Sequence, residues 1–263
     1  MTPYVFISGA TGGIGRAFSF LFAEKGFNLF LTGRSDKNLS VLKEELFSLN
    51  DKIEILSFPC DLTDHYARKK MLEYIDQKEI CFCNIVNVAG VDTQKAFLDY
   101  TTEKLIFQLR VNVEATFVLT LELIKRKAKD LSVLTIASMS GVSPMPYFAV
   151  YSATKCALIN LFTSLHYELK KDGVKVTTVM PGGVYTRPDI ILDIKGQGVW
   201  GKLSAKTPEY VAKKSFRANE KNKIKYVPGF FNKLLYVLIK IAPKRIVLSF
   251  IARRWKKQTK DAF

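Results

Sequence analysis

Tyr151 and Lys155 stand four residues apart in Y-S-A-T-K, a spacing that puts both side chains on one face of a helix. A free phenol ionises near ~10 and is a poor acid or base at neutral pH, but an ammonium beside it favours the phenolate. Ser138 precedes Tyr151 by 13 residues, at the end of an apolar run. There its hydroxyl can hydrogen-bond an oxygen on which charge develops. Ser140 is the alternative serine. Near the start of the chain, S-G-A-T-G-G-I-G carries Gly9, Gly13 and Gly15 in a G-x-x-x-G-x-G spacing. Small residues at a strand-to-helix turn let the backbone approach a pyrophosphate, which the helix N-terminus then binds through free N–H groups and its dipole.

Other chemistries fit poorly. Ser138 is flanked by Ala137 and Met139, so there is no G-x-S-x-G elbow for a serine hydrolase. The two histidines, His65 and His166, read as a first-turn surface residue and a structural helix residue. No ligand cluster suits a metal, and no metal site is expected. The four cysteines include no C-x-x-C pair and read as reduced small hydrophobes.

These residues need a scaffold. Apolar runs at 4–8, 28–32, 52–58, 84–89, 132–138 and 175–180 read as strands. Helix-length segments at 14–25, 37–49, 64–77, 101–128 and 151–171 lie between them. Such alternation predicts an α/β fold: one Rossmann-like, doubly wound parallel sheet with helices on both faces. Thr207-Pro208-Glu209 reads as an N-cap, an N1 proline and an acidic first turn, opening a helix to about Asn219.

The glycine loop resembles the T-G-x-x-x-G-x-G signature of the short-chain dehydrogenase/reductase family, with Ser8 in place of threonine. Asp61 closes the third strand as in that family. Asn87-Val88-Ala89-Gly90 resembles N-N-A-G with one valine replacement. Asn112, Ser138, Tyr151 and Lys155 follow at family spacing, and residues 181–186 resemble P-G-x-V-x-T. The resemblance covers about residues 3–186. It implies an oxidoreductase that binds a nicotinamide dinucleotide and acts on a small-molecule carbonyl or alcohol, with Asn112, Ser138, Tyr151 and Lys155 as catalytic residues. Asn112 would hold a water that relays protons to Lys155, and Lys155 would hold the nicotinamide ribose. Cofactor contacts would come from Gly9, Thr11, Gly12, Gly13, Ile14 and Gly15; from Arg34, Asp61 and Leu62; from Asn87, Ala89 and Gly90; from Tyr151 and Lys155; and from Pro181, Gly182, Val184 and Thr186. With Lys155 and an oxidised nicotinamide nearby, moving the Tyr151 phenol to ~7 takes about 4 kcal/mol of differential interaction. The same fold used as a catalytically silent dinucleotide sensor is the alternative.

Cofactor choice follows from charge. The second strand ends Thr32-Gly33-Arg34-Ser35 with no carboxylate at the position where an NAD enzyme binds ribose hydroxyls. A guanidinium there suits a 2′-phosphate, so NADP(H) is expected over NAD(H).

Charge also divides the chain. Residues 1–194 hold 22 Lys and Arg against 21 Asp and Glu, whereas residues 195–263 hold 18 against 3. The expected organisation is a cofactor-binding and catalytic core (1–186), a substrate-binding segment (187–228) and a basic amphipathic helical tail (229–263). In the tail, 230–241 and 244–257 alternate apolar residues with cations around Pro243, and the longest apolar run, Leu234 to Ile239, is six residues. That is far short of the ~20 a membrane span needs. Such helices suit either an anionic membrane surface or packing over the substrate cleft. No nucleic-acid motif is present. The T-P-E helix start, V-P-G-F-F-N and A-P-K-R loosely resemble the 17β-hydroxysteroid/3-ketoacyl reductase type and related bacterial reductases, which implies a lipid, acyl or steroid-like substrate. No secretory leader is read at the start, so a cytoplasmic enzyme is expected, peripheral at the inner face of a membrane if the tail binds lipid, with homo-oligomerisation open.

Overall fold

All five residues of β1 (Tyr4–Ser8) are buried, with Tyr4 and Phe6 packed into one hydrophobic layer and Val5 and Ile7 into another. A parallel strand covered by helices on both faces requires such two-sided burial. The computed structural model describes residues 2–196 and 198–256. The strands that follow are β2 (Asn28–Gly33), β3 (Ile55–Pro59), β4 (Phe82–Asn87), β5 (Lys127–Ile136), β6 (Lys175–Val179) and β7 (Lys225–Tyr226). All pair in parallel in the order β3-β2-β1-β4-β5-β6-β7. The order reverses between β1 and β4, and a crevice opens at the carboxyl ends of the strands there.

One face is covered by α1 (Gly13–Glu24) and α2 (Asp36–Leu49), through Phe18, Phe22, Leu39, Leu42 and Leu46. The other is covered by α3 (His65–Gln77), by α5 (Ala115–Ile124), which continues α4 (Thr102–Leu109), and by α6 (Ala149–Glu168). Side-chain caps start the helices where short polar residues precede them: Ser35 accepts from the Asn38 amide and Asp64 from the Tyr66 amide.

Three predicted boundaries need correction. The helix read over 101–128 ends at Ile124, and β5 starts at Lys127, a start hidden in the sequence because its first residues, charged and largely exposed, lack a strand-like apolar pattern. The third strand lies at 55–59 rather than 52–58. The two-residue β7 carried no signal of its own. Between α4 and α5 the chain makes a π-helical turn, Arg110–Glu114, centred on Asn112.

Beyond β6 come α7 (Pro188–Gly196), α8 (Gly198–Ser204), α9 (Pro208–Glu220), α10 (Phe230–Ile241) and α11 (Lys244–Trp255). Thr207 caps α9 as predicted, accepting from the Tyr210 amide, and Ala212 and Phe216 seat α9 beside α1. Pro243 breaks α10 from α11, also as predicted. Residues 257–263 of the predicted tail lie outside the described residues. Among the described residues no helix is long and apolar enough to cross a membrane.

Candidate active site

At the end of β1 the chain turns through Gly9, whose φ of +63° is the left-handed region that glycine tolerates. A Cβ at Gly15 would lie 2.1 Å from the Gly9 carbonyl oxygen, so the first turn of α1 can close on the loop only without a side chain. Gly12 caps α1 without a side-chain hydrogen bond, and its first turn has no acidic residue. The helix therefore presents unneutralised amides to the crevice, a ready anion site.

Ser8 does the tying its position requires. Its Oγ accepts from the amides of Val88 (3.1 Å) and Ala89 (3.2 Å), fastening β1 to the loop after β4. Asn87 points away from the crevice: its Nδ2 donates to Thr120 Oγ1 (2.9 Å) and Thr135 Oγ1 (3.1 Å). Exposed Arg34, at the end of β2, lines the crevice together with Asp61 and Leu62. Asp61 holds its loop by accepting from the Thr63 amide (2.9 Å) and hydroxyl (2.8 Å). The buried Arg68 donates to the Leu62 carbonyl and pairs with Glu114 in the π-turn.

Ser138, Tyr151 and Lys155 converge on the other wall. Ser138 lies close enough to the Tyr151 phenol to favour its ionisation, and Ser138 Oγ accepts from the Ser140 amide (3.1 Å). Lys155 is buried on the same face of α6; its Nζ lies 5.6 Å from the Tyr151 ring centre and donates to the Ile136 carbonyl (3.0 Å). Asn112 grips the adjoining loop instead of lining the cleft. It accepts from the Val91 amide (2.8 Å) and donates to the Val91 carbonyl (2.8 Å) and to Thr154 Oγ1 (3.0 Å).

The electrostatics of the chain alone run opposite to the lowered phenol expected from sequence. Burial pushes the Tyr151 phenol up, Asp92 pushes it further, and the Ser138 hydroxyl opposes both. Burial brings Lys155 down to about 8, with Asp92 acting against that shift. A phenolate here needs positive charge beyond what the chain supplies.

The cleft has a volume of about 860 Å³. It takes in the predicted Gly9, Thr11, Gly12, Gly13, Ile14, Ala89 and Gly90, and Pro181, Gly182, Val184 and Thr186; Gly15, Asn87 and Asn112 support it from behind. Five further residues line the cleft that the sequence did not assign to it. Asp92 pairs across the cleft with Arg187 (3.6 Å). Phe148 stacks on Tyr151 (4.5 Å between ring centres), and Trp255 of α11 stacks on Phe148 (5.8 Å). Asn232, buried on α10, donates to the carbonyls of Ser204 (2.8 Å) and Pro228 (2.9 Å). Its Oδ1 sits 2.8 Å from where a Cβ on Gly182 would be, so the loop after β6 and α10 are in close contact. The aromatic stack joins residues more than a hundred positions apart and leaves no local pattern.

Residues 3–190 match the family model described as short chain dehydrogenase. The chain belongs to the short-chain dehydrogenase/reductase family. A relative, dehydrogenase/reductase SDR family member 7B of Xenopus laevis, is 30% identical over 272 residues, covering 97% of this chain and 83% of that protein. Among solved structures, a 7beta-hydroxysteroid dehydrogenase superposes with a TM-score of 0.86 at 22% identity, covering 95% of this chain and 96% of that one. A short-chain dehydrogenase from Sphingobium yanoikuyae, solved with NADPH, gives 0.76 at 20% identity over 99% and 100% of the two chains. As a short-chain dehydrogenase, this protein is an NAD(P)-dependent oxidoreductase acting on a small molecule.

Proposed function

We propose that this short-chain dehydrogenase is an NADPH-dependent reductase of bulky apolar ketones, of the lipid, acyl or steroid-like kind. The observation that carries the reading is the placement of Ser138, Tyr151 and Lys155 on one wall of an 860 Å³ cleft, opposite a glycine cradle and Arg34, beneath an apolar lid. The cradle fits a dinucleotide: Gly9 and Gly15 leave room for backbone only, and the uncapped start of α1 favours a pyrophosphate. When bound, the reduced nicotinamide supplies a hydride to the carbonyl carbon and, once oxidised, a positive charge beside Tyr151.

Tyr151 donates its phenolic proton to the carbonyl oxygen, so the ketone gains one hydride and one proton and leaves as an alcohol. Ser138 steadies the oxygen as negative charge grows on it. Lys155 stabilises the resulting phenolate and holds the nicotinamide ribose. Asn112 keeps the π-turn and the Val91 loop in register, which positions a water for returning the proton through Lys155. Arg34 binds the 2′-phosphate with Asp61 and Leu62 beside the adenine.

In this reading residues 1–186 hold the cofactor and the chemistry, 187–228 form a substrate wall, and the tail from 229 roofs it. Ile190, Ile194, Leu235 and Ile239 make the wall and roof apolar. The enzyme works at the cytoplasmic side, with an anionic membrane surface as the second partner of its tail. Steady-state turnover with NADPH and NADH across ketones of graded size tests the proposal. It expects NADPH preference and kcat/KM rising with ketone bulk. Tight NADPH binding without turnover on any ketone would make the chain a dinucleotide-binding module instead.

A further inference from the structure

We propose that the outer face of the α10–α11 pair docks on an anionic lipid bilayer and that the substrate cleft opens into this surface, so apolar substrate enters from the membrane without crossing water. The proposal deepens the ketone-reductase reading and rests on it for the identity of the substrate.

The two helices are seated shallowly. Asn232 is the buried residue of α10, and α11 has none. On α10, Phe230, Leu234, Val237 and Ile241 recur at helical spacing and form one exposed apolar stripe, with Phe230 84% and Ile241 72% exposed. One step round the helix, Leu235, Ile239 and Ala242 line the cleft. Three residues belong to both surfaces: Leu238, Ile246 and Phe250 line the cleft and are 45%, 65% and 56% exposed. They are its rim, so the apolar lining of the cleft continues through them onto the outer stripe. A contiguous exposed apolar surface of this kind marks an interaction site.

Charge selects the partner. From Lys221 to Lys256 the chain has ten Lys and Arg and no Asp or Glu. Lys233, Lys240, Lys244, Arg245, Arg253 and Lys256 are exposed around the stripe. Apposing two copies through this face would bring two such cation sets together, whereas an anionic headgroup layer neutralises them. Lysine stems beside apolar residues also suit a membrane interface, where the apolar side chains insert and the ammonium groups stay at the headgroups.

The test uses the full chain with NADPH and vesicles of phosphatidylcholine, alone or mixed with phosphatidylserine. Sedimentation should find the chain on the mixed vesicles at low salt. Binding should weaken several-fold as salt rises without vanishing, because inserted apolar groups are not screened. The triple variant Leu234→Ser, Val237→Ser, Ile241→Ser changes residues outside the cleft lining. It should lose vesicle binding by at least about tenfold. Its turnover of a short water-soluble ketone should stay within about twofold of wild type, while turnover of a long-chain ketone dissolved in the vesicles falls at least about tenfold. Wild-type chain remaining in the supernatant at low salt would overturn the proposal. So would equal loss of both turnovers in the variant, or light scattering showing a dimer that the variant dissolves. Normal vesicle binding with no turnover of either ketone would uphold the docking surface and overturn the ketone reading.

Discussion

The near-neutral body of the chain and its basic last quarter meet across one cleft but are built on different terms. The body recognises its ligand with backbone: a left-handed Gly9, a Gly15 packed on the Gly9 carbonyl, and helix amides without a cap. Backbone recognition tolerates almost no substitution, so it leaves short motifs of fixed spacing. The last quarter presents surface: an apolar roof inward, an apolar stripe and cations outward. Burial is proportional to area and indifferent to the order of Leu, Ile, Val and Phe. Such a region leaves composition in the sequence and few motifs. Substitution in the body should therefore act all or none, and in the tail by degrees.

The largest effect should follow Tyr151→Phe. Losing the phenolic proton should lower kcat by about 10²- to 10⁴-fold, while NADPH affinity measured by fluorescence titration stays nearly unchanged. A variant that kept wild-type turnover would move the proton donor elsewhere.

Arg34→Asp comes next. Removing one charge-assisted contact and adding repulsion should raise the NADPH dissociation constant by about 10- to 150-fold and narrow or reverse the preference over NADH. An unchanged ratio of the two affinities would assign the phosphate to another cation.

Asn232→Leu crosses between the regions, since Asn232 packs against Gly182 of the body and also ties the roof to Ser204 and Pro228. The buried Pro228 carbonyl and the half-buried Ser204 carbonyl would lose their donor, at about 1–3 kcal/mol. The expected result is a KM for bulky ketones raised roughly 5- to 50-fold with NADPH binding preserved. Equal effects on small and bulky ketones would show that the roof does not contact substrate.

A pH series examines the buried lysine without any substrate. Lys155 titrates at about 8 in the fold and near its ordinary 10.5 when unfolded. Between those values the unfolded chain binds more protons, so stability rises with pH across that window and is flat below it. The raised Tyr151 phenol acts with the opposite sign, but only above its ordinary ~10. From pH 8 to ~10 the melting temperature of wild type should therefore climb a few degrees relative to Lys155→Met. Parallel curves would mean that Lys155 is not desolvated. Smallest of all, Leu234→Ser alone should change turnover of a soluble ketone by less than about twofold, since Leu234 lies outside the cleft lining.

Legibility in the sequence follows the same division. The strand–helix alternation, the N-caps, the Pro243 break and Tyr151, Lys155 and Ser138 were readable because each rests on local spacing. The π-turn at Asn112 was not, because a one-residue widening of a helix is stabilised by distant Val91 and Thr154 and leaves the apolar period nearly intact. The depth at which Tyr151 and Lys155 are buried was not legible, because a four-residue spacing says nothing of desolvation. Asp92 faces Arg187 across the cleft only after folding, and Trp255 reaches Phe148 from the far end of the chain.

The central claim is that the two regions meet to move a hydride from NADPH onto a bulky ketone. It is tested most directly with NADPH deuterated at the transferring position of the nicotinamide and a bulky ketone, the alcohol being examined by mass spectrometry and NMR. The account predicts one deuterium on the carbinol carbon with wild type, and the same labelled alcohol formed at least about 100-fold more slowly with Tyr151→Phe. Saturable NADPH binding with no labelled alcohol from any ketone of the graded series would contradict it.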